Sequence, residues 1–121
     1  MDVIAAALAV FLGVTGVAHF VFPGYFRSLV PSWLGPAGLL VVVSGVAEVV
    51  VGVFIAVPAT RAAGAWAASA LIGAYLLSHL DAVRHARPRH TSVLLRPGTV
   101  AARLVVNAGY IGWAVYVATG A

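Results

Sequence analysis

The chain contains no cysteine and no lysine, and only three of its 121 residues are acidic. The absence of cysteine excludes disulfides, thiolate catalysis and metal sites with cysteine ligands. Charged residues make up 8% of the chain and hydrophobic residues 63%, whereas soluble domains carry about 25% charged residues. A soluble fold of this composition would expose apolar patches that aggregate. The composition therefore predicts a single-domain integral membrane protein comprising residues 1–121.

Four apolar runs are long enough to cross a bilayer core of about 30 Å as α-helices, which rise about 1.5 Å per residue. We expect these spans at about residues 3–22, 38–57, 62–80 and 100–117. The predicted fold is all-α, a four-transmembrane-helix bundle with antiparallel up-down-up-down order. Three prolines interrupt residues 23–36, and because proline breaks helices we predict an interfacial loop there.

Small residues recur at four-residue spacing in every predicted span, a pattern that allows close approach of helix backbones in lipid. We therefore predict a compact bundle, with Gly45 and Gly73 at helix–helix contacts rather than facing lipid. The stripes are Ala5, Ala9 and Gly13; Gly52 and Ala56; Ala65, Ser69 and Gly73; Ala108 and Gly112.

Polar residues inside the spans carry the functional signal. Glu48 lies near the middle of the second span, where a carboxylate costs a few kcal/mol and is by default a functional-site hypothesis. The loop between the third and fourth spans, the third loop, is rich in arginine. In each span the polar residues lie in the half of the helix nearest this loop, as judged from the number of residues to the end of the span. We expect them to converge on one polar-lined pocket. Glu48 and His19 are the catalytic candidates, and the remaining lining residues are Thr15, Ser44, Tyr75, Ser78, His79, Asn107 and Tyr110.

The same count of helix rise separates His19 from Glu48 by about 9–12 Å along the membrane normal. We therefore expect an indirect link between them through Ser44, Tyr75 or a buried water. Two other interpretations of the polar residues stay open. They can form a hydrogen-bond network that only joins the helices, or His19 and His79 can be the axial ligands of a haem.

The first two spans resemble the DoxX-like family of small four-helix membrane proteins over about residues 10–60. The resemblance implies the same four-helix fold. It also implies a role like that of the accessory subunits of membrane redox systems, without a redox centre in this chain. The motifs that carry it are His19-x3-Pro23, Val30-Pro31, and Ser44-Gly45-x2-Glu48 followed by Gly52.

Three functions fit these features. The first is an accessory or assembly subunit that holds a quinone-like, isoprenoid or other lipid molecule and contacts a membrane protein partner or a second copy. The second is a small isomerase- or cyclase-type enzyme that uses Glu48 as a general acid on an apolar substrate. The third is a dimeric proton-coupled transporter with Glu48 as the proton carrier. No cofactor or metal motif is evident, and the arginines flank apolar runs, so membrane lipids rather than nucleic acid are the expected partners.

Arginine distribution predicts the orientation of the chain in the plasma membrane. Four spans place the first and third loops on one side, and that side carries six of the seven arginines. The positive-inside rule puts this side in the cytoplasm, so the arginine-rich third loop is predicted inside and both termini outside.

Single cysteines introduced at Thr60 and His90 test this orientation, because the natural chain has none. A membrane-impermeant thiol reagent applied to intact cells should label position 60 and leave position 90 unlabelled until the cells are permeabilised. Labelling of position 90 in intact cells would reverse the orientation.

Overall fold

The computed structural model describes residues 2–120, with side chains from residue 3 onward. This part of the chain contains helices and no β-strand, so the all-α prediction is confirmed. The five α-helices are α1 (Asp2–Val21), α2 (Pro23–Ser28), α3 (Ala37–Ala56), α4 (Arg61–His85) and α5 (Pro97–Thr119), with 3-10 turns at Pro58–Thr60 and Val93–Leu95.

Helices α1, α3, α4 and α5 are each long and apolar enough to cross a membrane. No more than 33% of any of these spans is buried inside the protein. Most of the surface of each helix is therefore left to face lipid or a partner. The prediction of four apolar helices of membrane-spanning length is confirmed.

Two helices extend beyond the predicted apolar spans. Helix α4 continues to His85 instead of ending at residue 80, and α5 begins at Pro97 instead of residue 100. The added turn of α4 is polar, and its Asp81 accepts a hydrogen bond from the Trp33 indole at 2.8 Å. Proline suits the start of α5, where its missing N–H has no intrahelical partner in any case. Hydropathy marks where the apolar run ends, and the helices continue past that point.

The segment between the first two long helices is partly helical, which corrects the prediction of a loop throughout. Pro23 begins the six-residue helix α2, again at a position where proline is tolerated. Tyr25 and Trp33 are exposed, whereas Phe26 turns inward. The segment therefore contributes to the interior as well as to the surface.

Helix α3 lies between α1 and α4, and α4 lies between α3 and α5. The contact between α1 and α5 lies near the chain termini. There the Trp113 indole donates to the Ile4 carbonyl at 3.1 Å, and the Phe11 and Tyr110 rings lie 4.7 Å apart. The outer helices thus meet at one end of the bundle.

The apolar core fills that same end. Its members come from the N-terminal halves of α1 and α4 and from the C-terminal halves of α3 and α5. The buried polar residues of the described chain, His19, Glu48 and Asn107, lie outside this cluster. The core comprises Ala5, Leu8, Leu12, Ile55, Ala65, Ala68, Ala114, Val117 and Ala118.

Glycines allow the closest helix contacts, although not all those predicted do so. A Cβ at Gly45 would lie 2.8 Å from the His19 Cβ, so its predicted contact is confirmed. The prediction for Gly73 is wrong, because nothing lies within 4 Å of a Cβ built there. Gly64, also on α4, does make such a contact, because a Cβ built there would lie 2.8 Å from the Phe54 Cβ. Four-residue spacing does not determine which face of a helix meets its neighbour.

Gly64 and Gly73 provide a matched pair for testing this packing. Gly64→Ala should destabilise the bundle by about 1–3 kcal/mol through overpacking. Gly73→Ala should leave stability unchanged or raise it by up to about 1 kcal/mol, because alanine favours the helix. Reversible unfolding in mixed detergent micelles measures both variants, and equal stability of the two would contradict the assigned α3–α4 interface.

Candidate functional site

The Glu48 carboxyl group lies where α1, α3 and α4 come together, and the residue is only 3% exposed. The Thr15 hydroxyl of α1 donates to Oε1 at 2.5 Å, and the Tyr75 hydroxyl of α4 donates to Oε2 at 2.7 Å. A buried carboxyl group without such donors would carry a large desolvation cost. Glu48 therefore joins its own helix to the helices on either side.

His19 completes this group through both of its ring nitrogens. Nδ1 lies 2.7 Å from the Thr15 carbonyl oxygen, and Nε2 lies 3.2 Å from Oε2 of Glu48. Because a carbonyl oxygen only accepts hydrogen bonds, Nδ1 carries a hydrogen. A hydrogen bond between Nε2 and Oε2 then needs one shared proton. Whichever atom holds that proton, the pair has no net charge, which suits a site inside a membrane span.

The direct contact corrects the prediction that His19 and Glu48 are too far apart to touch. The predicted separation assumed that the first and second spans end level with each other. In the structure His19 lies against Gly45, and a Cβ on Gly16 would lie 3.0 Å from the Val49 nitrogen. This displaces the two helices by about one turn from the assumed register. The first turns of α3 therefore extend past the end of α1, and α2 lies beside them.

Phe26 of α2 covers the histidine. Its ring stacks on the His19 imidazole with centroids 3.9 Å apart and an angle of 14° between the planes. With Nδ1 and Nε2 of His19 both bonded within the protein, no ring nitrogen is left to bind iron. These bonds do not favour the interpretation of His19 and His79 as axial haem ligands, which stays a prediction.

A cavity of about 460 Å³ opens next to this group, between residues 26–34, α3 and α4. Its volume lies within the range of about 300–1,000 Å³ that small-molecule sites occupy. The lining is mainly apolar and includes Phe26, which corrects the prediction of a polar-lined pocket. The four polar lining residues are Ser44, Tyr75, Ser78 and His79.

Tyr75 connects the cavity to the buried carboxyl group. It lines the cavity and donates its proton to Glu48, which is itself absent from the lining. The Ser44 hydroxyl donates to the Val41 carbonyl of its own helix at 3.2 Å. His19, Glu48 and Tyr75 thus form a continuous hydrogen-bonded chain that ends at the cavity wall.

A second polar group surrounds Arg103, which the sequence indicated only as a charge at the start of the last span. Its Nε donates to Nδ1 of His79 at 3.0 Å, and its Nη2 donates to the Ser78 hydroxyl at 3.0 Å. Ser78 in turn donates to the Leu29 carbonyl at 2.5 Å. These bonds join α4 and α5 to the segment that follows α2. An arginine placed inside an apolar run is the sequence signal that could have identified this group.

The predicted site residues do not converge on a single pocket. Asn107 and Tyr110 line a separate cavity of about 260 Å³ between α4 and α5, together with Arg103. Only His79 lines both cavities. The division arises because α5 packs on α4 and not on α3, so its polar face turns toward α4.

The family described as "Domain of unknown function (DUF8561)" matches residues 8–118. The match therefore spans both polar groups and both cavities. Comparison with curated proteins and with solved structures yields no match. Neither result bears on the resemblance to the DoxX-like family, which stays a prediction.

Two substitutions of Glu48 test its contacts. Glu48→Gln keeps the shape and an oxygen that accepts from Tyr75, so its stability should stay within about 1 kcal/mol of the parent. Glu48→Leu leaves Tyr75 and His19 without their acceptor and should cost at least about 2 kcal/mol, since each buried unsatisfied group costs about 1–3 kcal/mol. Unfolding in mixed micelles measures both, and a leucine variant as stable as the glutamine variant would show that the carboxyl group does not hold the helices together.

Proposed function

The chain belongs to the DUF8561 family, and we propose that it is a membrane-embedded binding protein for a lipophilic molecule. The site is the cavity between residues 26–34, α3 and α4, and the ligand is of the quinone or isoprenoid class. In this role the protein is an accessory or assembly subunit of a membrane redox system, as its DoxX-like motifs imply, and works with a partner protein or a second copy. The single observation that carries the proposal is this apolar cavity with few polar groups.

The proposed arrangement in the plasma membrane is up-down-up-down, with the cavity in the cytoplasmic half. The end of α1 contacts the early part of α3, which supports antiparallel neighbours. Residues 84–96, which hold four arginines, lie beyond the same half of the bundle as the cavity. The positive-inside rule then places the opening of the cavity toward the cytoplasmic leaflet.

The lining suits a molecule with an apolar body and a single polar head. Apolar walls with a few placed polar groups are typical of sites that take up lipophilic ligands and fix their orientation. Aliphatic side chains contributed by α3, α4 and the segment after α2 supply these walls, and they include Leu40, Val41 and Leu71. Polyisoprenoid tails and alkyl chains bury well against such surfaces.

Hydrogen-bond directions define the preferred head group. The hydroxyl protons of Tyr75, Ser44 and Ser78 are donated to Glu48 and to backbone carbonyls. Their oxygens can therefore only accept further hydrogen bonds, and the Ser78 oxygen already accepts one from Arg103. Such a wall favours a ligand that donates an O–H, so a hydroquinone or an isoprenoid alcohol fits better than an oxidised quinone.

An acid–base enzyme is the second candidate, and one observation favours it. The proton shared by His19 and Glu48 is one hydrogen bond away from Tyr75, whose hydroxyl lines the cavity. A positioned group of this kind can pass a proton to a bound substrate. An isomerase or cyclase acting on an isoprenoid would use the chain in this way. A transporter gains less support, because the apolar core closes the half of the bundle nearest the termini.

Ligand binding tests the proposal directly. Decylubiquinol kept under anaerobic conditions should raise the melting temperature of the detergent-purified protein more than decylubiquinone at the same concentration. Ala47→Phe places a ring in the cavity and should abolish the shift, whereas Ala67→Phe, on the exposed surface of α4, should not. Equal shifts in both variants would show that the probe does not occupy this cavity.

Glu48→Gln distinguishes the two candidate functions in the same experiments. A binding protein should keep its affinity for decylubiquinol within a few-fold and should still complement a deletion of the gene in the native host. An enzyme that passes a proton from Glu48 should bind and fold normally yet fail to complement. The second outcome would replace the binding proposal with the enzymatic one.

A further inference from the structure

The smaller cavity, between α4 and α5, has a chemistry unlike that of the cavity proposed for the lipophilic ligand. Its volume is about 260 Å³. The exposed wall is almost entirely apolar, and the polar groups of the lining residues lie just behind it. The lining includes Thr99, Arg103, Val106, Asn107 and Tyr110, with His79 on the α4 side.

Arg103 brings a positive charge to the wall of this cavity and forms no direct ion pair, although Asp81 is near enough to interact with it electrostatically. No carboxylate within residues 3–120 forms an ion pair with it; the acidic side chains Glu48 and Asp81 are instead paired with His19 and with Arg84 and His85. A guanidinium group has five N–H bonds. The guanidinium donates from Nε to His79, from Nη2 to Ser78 and from one Nη1 hydrogen to Leu94. The second Nη1 hydrogen has no acceptor in the described chain. An unpaired charge within a membrane span normally has a counter-charge.

Asn107 adds a second donor that lacks a partner. The residue is 3% exposed and lines the cavity, and its Nδ2 has no hydrogen-bond partner among the described residues. It follows Arg103 by one helical turn, so the two side chains share a face of α5. Buried amide groups are nearly always hydrogen-bonded in native proteins. Two unsatisfied donors beside one cavity, one of them cationic, call for an anionic acceptor.

The position of the cavity identifies the source of that anion. Arg103 follows the start of α5 by six residues, or about 9 Å of helix. This is close to the level where lipid phosphates meet the ends of membrane spans. The neighbouring α5 residues Val105 and Val106 are 72% and 48% exposed, so the cavity adjoins the lipid-facing surface. Basic pockets between membrane helices on the cytoplasmic side bind anionic lipid head groups.

We propose that this cavity is a binding site for an anionic phospholipid. The phosphate accepts hydrogen bonds from the Arg103 guanidinium and from Nδ2 of Asn107, and an acyl chain lies along Val106 and the apolar face of α5. The site is separate from the cavity of the proposed function and does not depend on it. Free phosphate offers the same acceptor atoms but no chain to lie along the apolar wall.

Thermal unfolding of the delipidated protein in a neutral detergent tests the site. Dioleoylphosphatidylglycerol should raise the melting temperature, whereas dioleoylphosphatidylcholine and inorganic phosphate at equal concentration should not. Native mass spectrometry should show the phosphatidylglycerol adduct at a stoichiometry of about one.

Asn107→Asp is the decisive variant, because aspartate keeps the size of the side chain and replaces the free donor with a negative charge. The new carboxylate can pair with Arg103, so the variant should fold. Its affinity for phosphatidylglycerol should fall at least about tenfold, as the loss of a hydrogen bond to a charged group implies. The matched control is Arg84→Gln, which removes a 68% exposed arginine side chain of α4 and should leave the response unchanged.

Three outcomes would overturn the proposal. Equal responses of the parent and Asn107→Asp would show that the lipid binds elsewhere. A response to inorganic phosphate as large as that to phosphatidylglycerol would assign the site to a free anion. A response lost in Arg84→Gln but kept in Asn107→Asp would point to general attraction by surface charge. The helical circular dichroism spectrum and the lipid-free melting temperature of Asn107→Asp serve as the check that the fold is intact.

Discussion

A carboxyl group buried inside a membrane span must find its hydrogen-bond donors on neighbouring helices, because neither lipid nor its own helix backbone supplies them. Glu48 meets this requirement with Thr15 on α1 and Tyr75 on α4. The two donors lie on opposite sides of α3, so satisfying one carboxyl group orients three helices at once. His19 removes the remaining difficulty, since its shared proton leaves the pair without net charge. The contact is possible only because Gly45 has no side chain to separate the helices.

The division of the bundle into two halves follows from the same requirement. Near the termini all four long helices contribute to an apolar core, and α1 meets α5. Away from this core every long helix contributes polar groups, and the segment after α1 folds back beside α3. Phe26 from that segment covers His19, and the space between the segment, α3 and α4 becomes the larger cavity. The cavity is therefore a consequence of how the carboxyl group is enclosed.

Hydropathy predicted the four long helices well, because the length of an apolar run is a local property of the chain. It placed the end of α4 too early, since the polar turn after residue 80 remains helical. The contact between His19 and Glu48 could not be predicted, because it depends on a stagger of about one turn between α1 and α3, which hydropathy does not define. Which glycine of α4 contacts the neighbouring helix, Gly64 or Gly73, could not be predicted either, because residue spacing does not define the rotation of a helix about its axis.

The polar groups around Glu48 and Arg103 differ in net charge and in the number of unsatisfied hydrogen-bond donors, and so they suit different ligands. The Glu48 group is neutral and its donors are satisfied internally, so the cavity beside it presents lone pairs and apolar walls to a neutral lipophile. The Arg103 group carries a positive charge and keeps two donors without an acceptor, one Nη1 hydrogen and Nδ2 of Asn107, which suits an anion. His79 lies in the wall of both cavities and accepts its hydrogen bond from Arg103. The two cavities therefore share one wall residue, and thermodynamic linkage would make any effect of one ligand on the affinity of the other reciprocal.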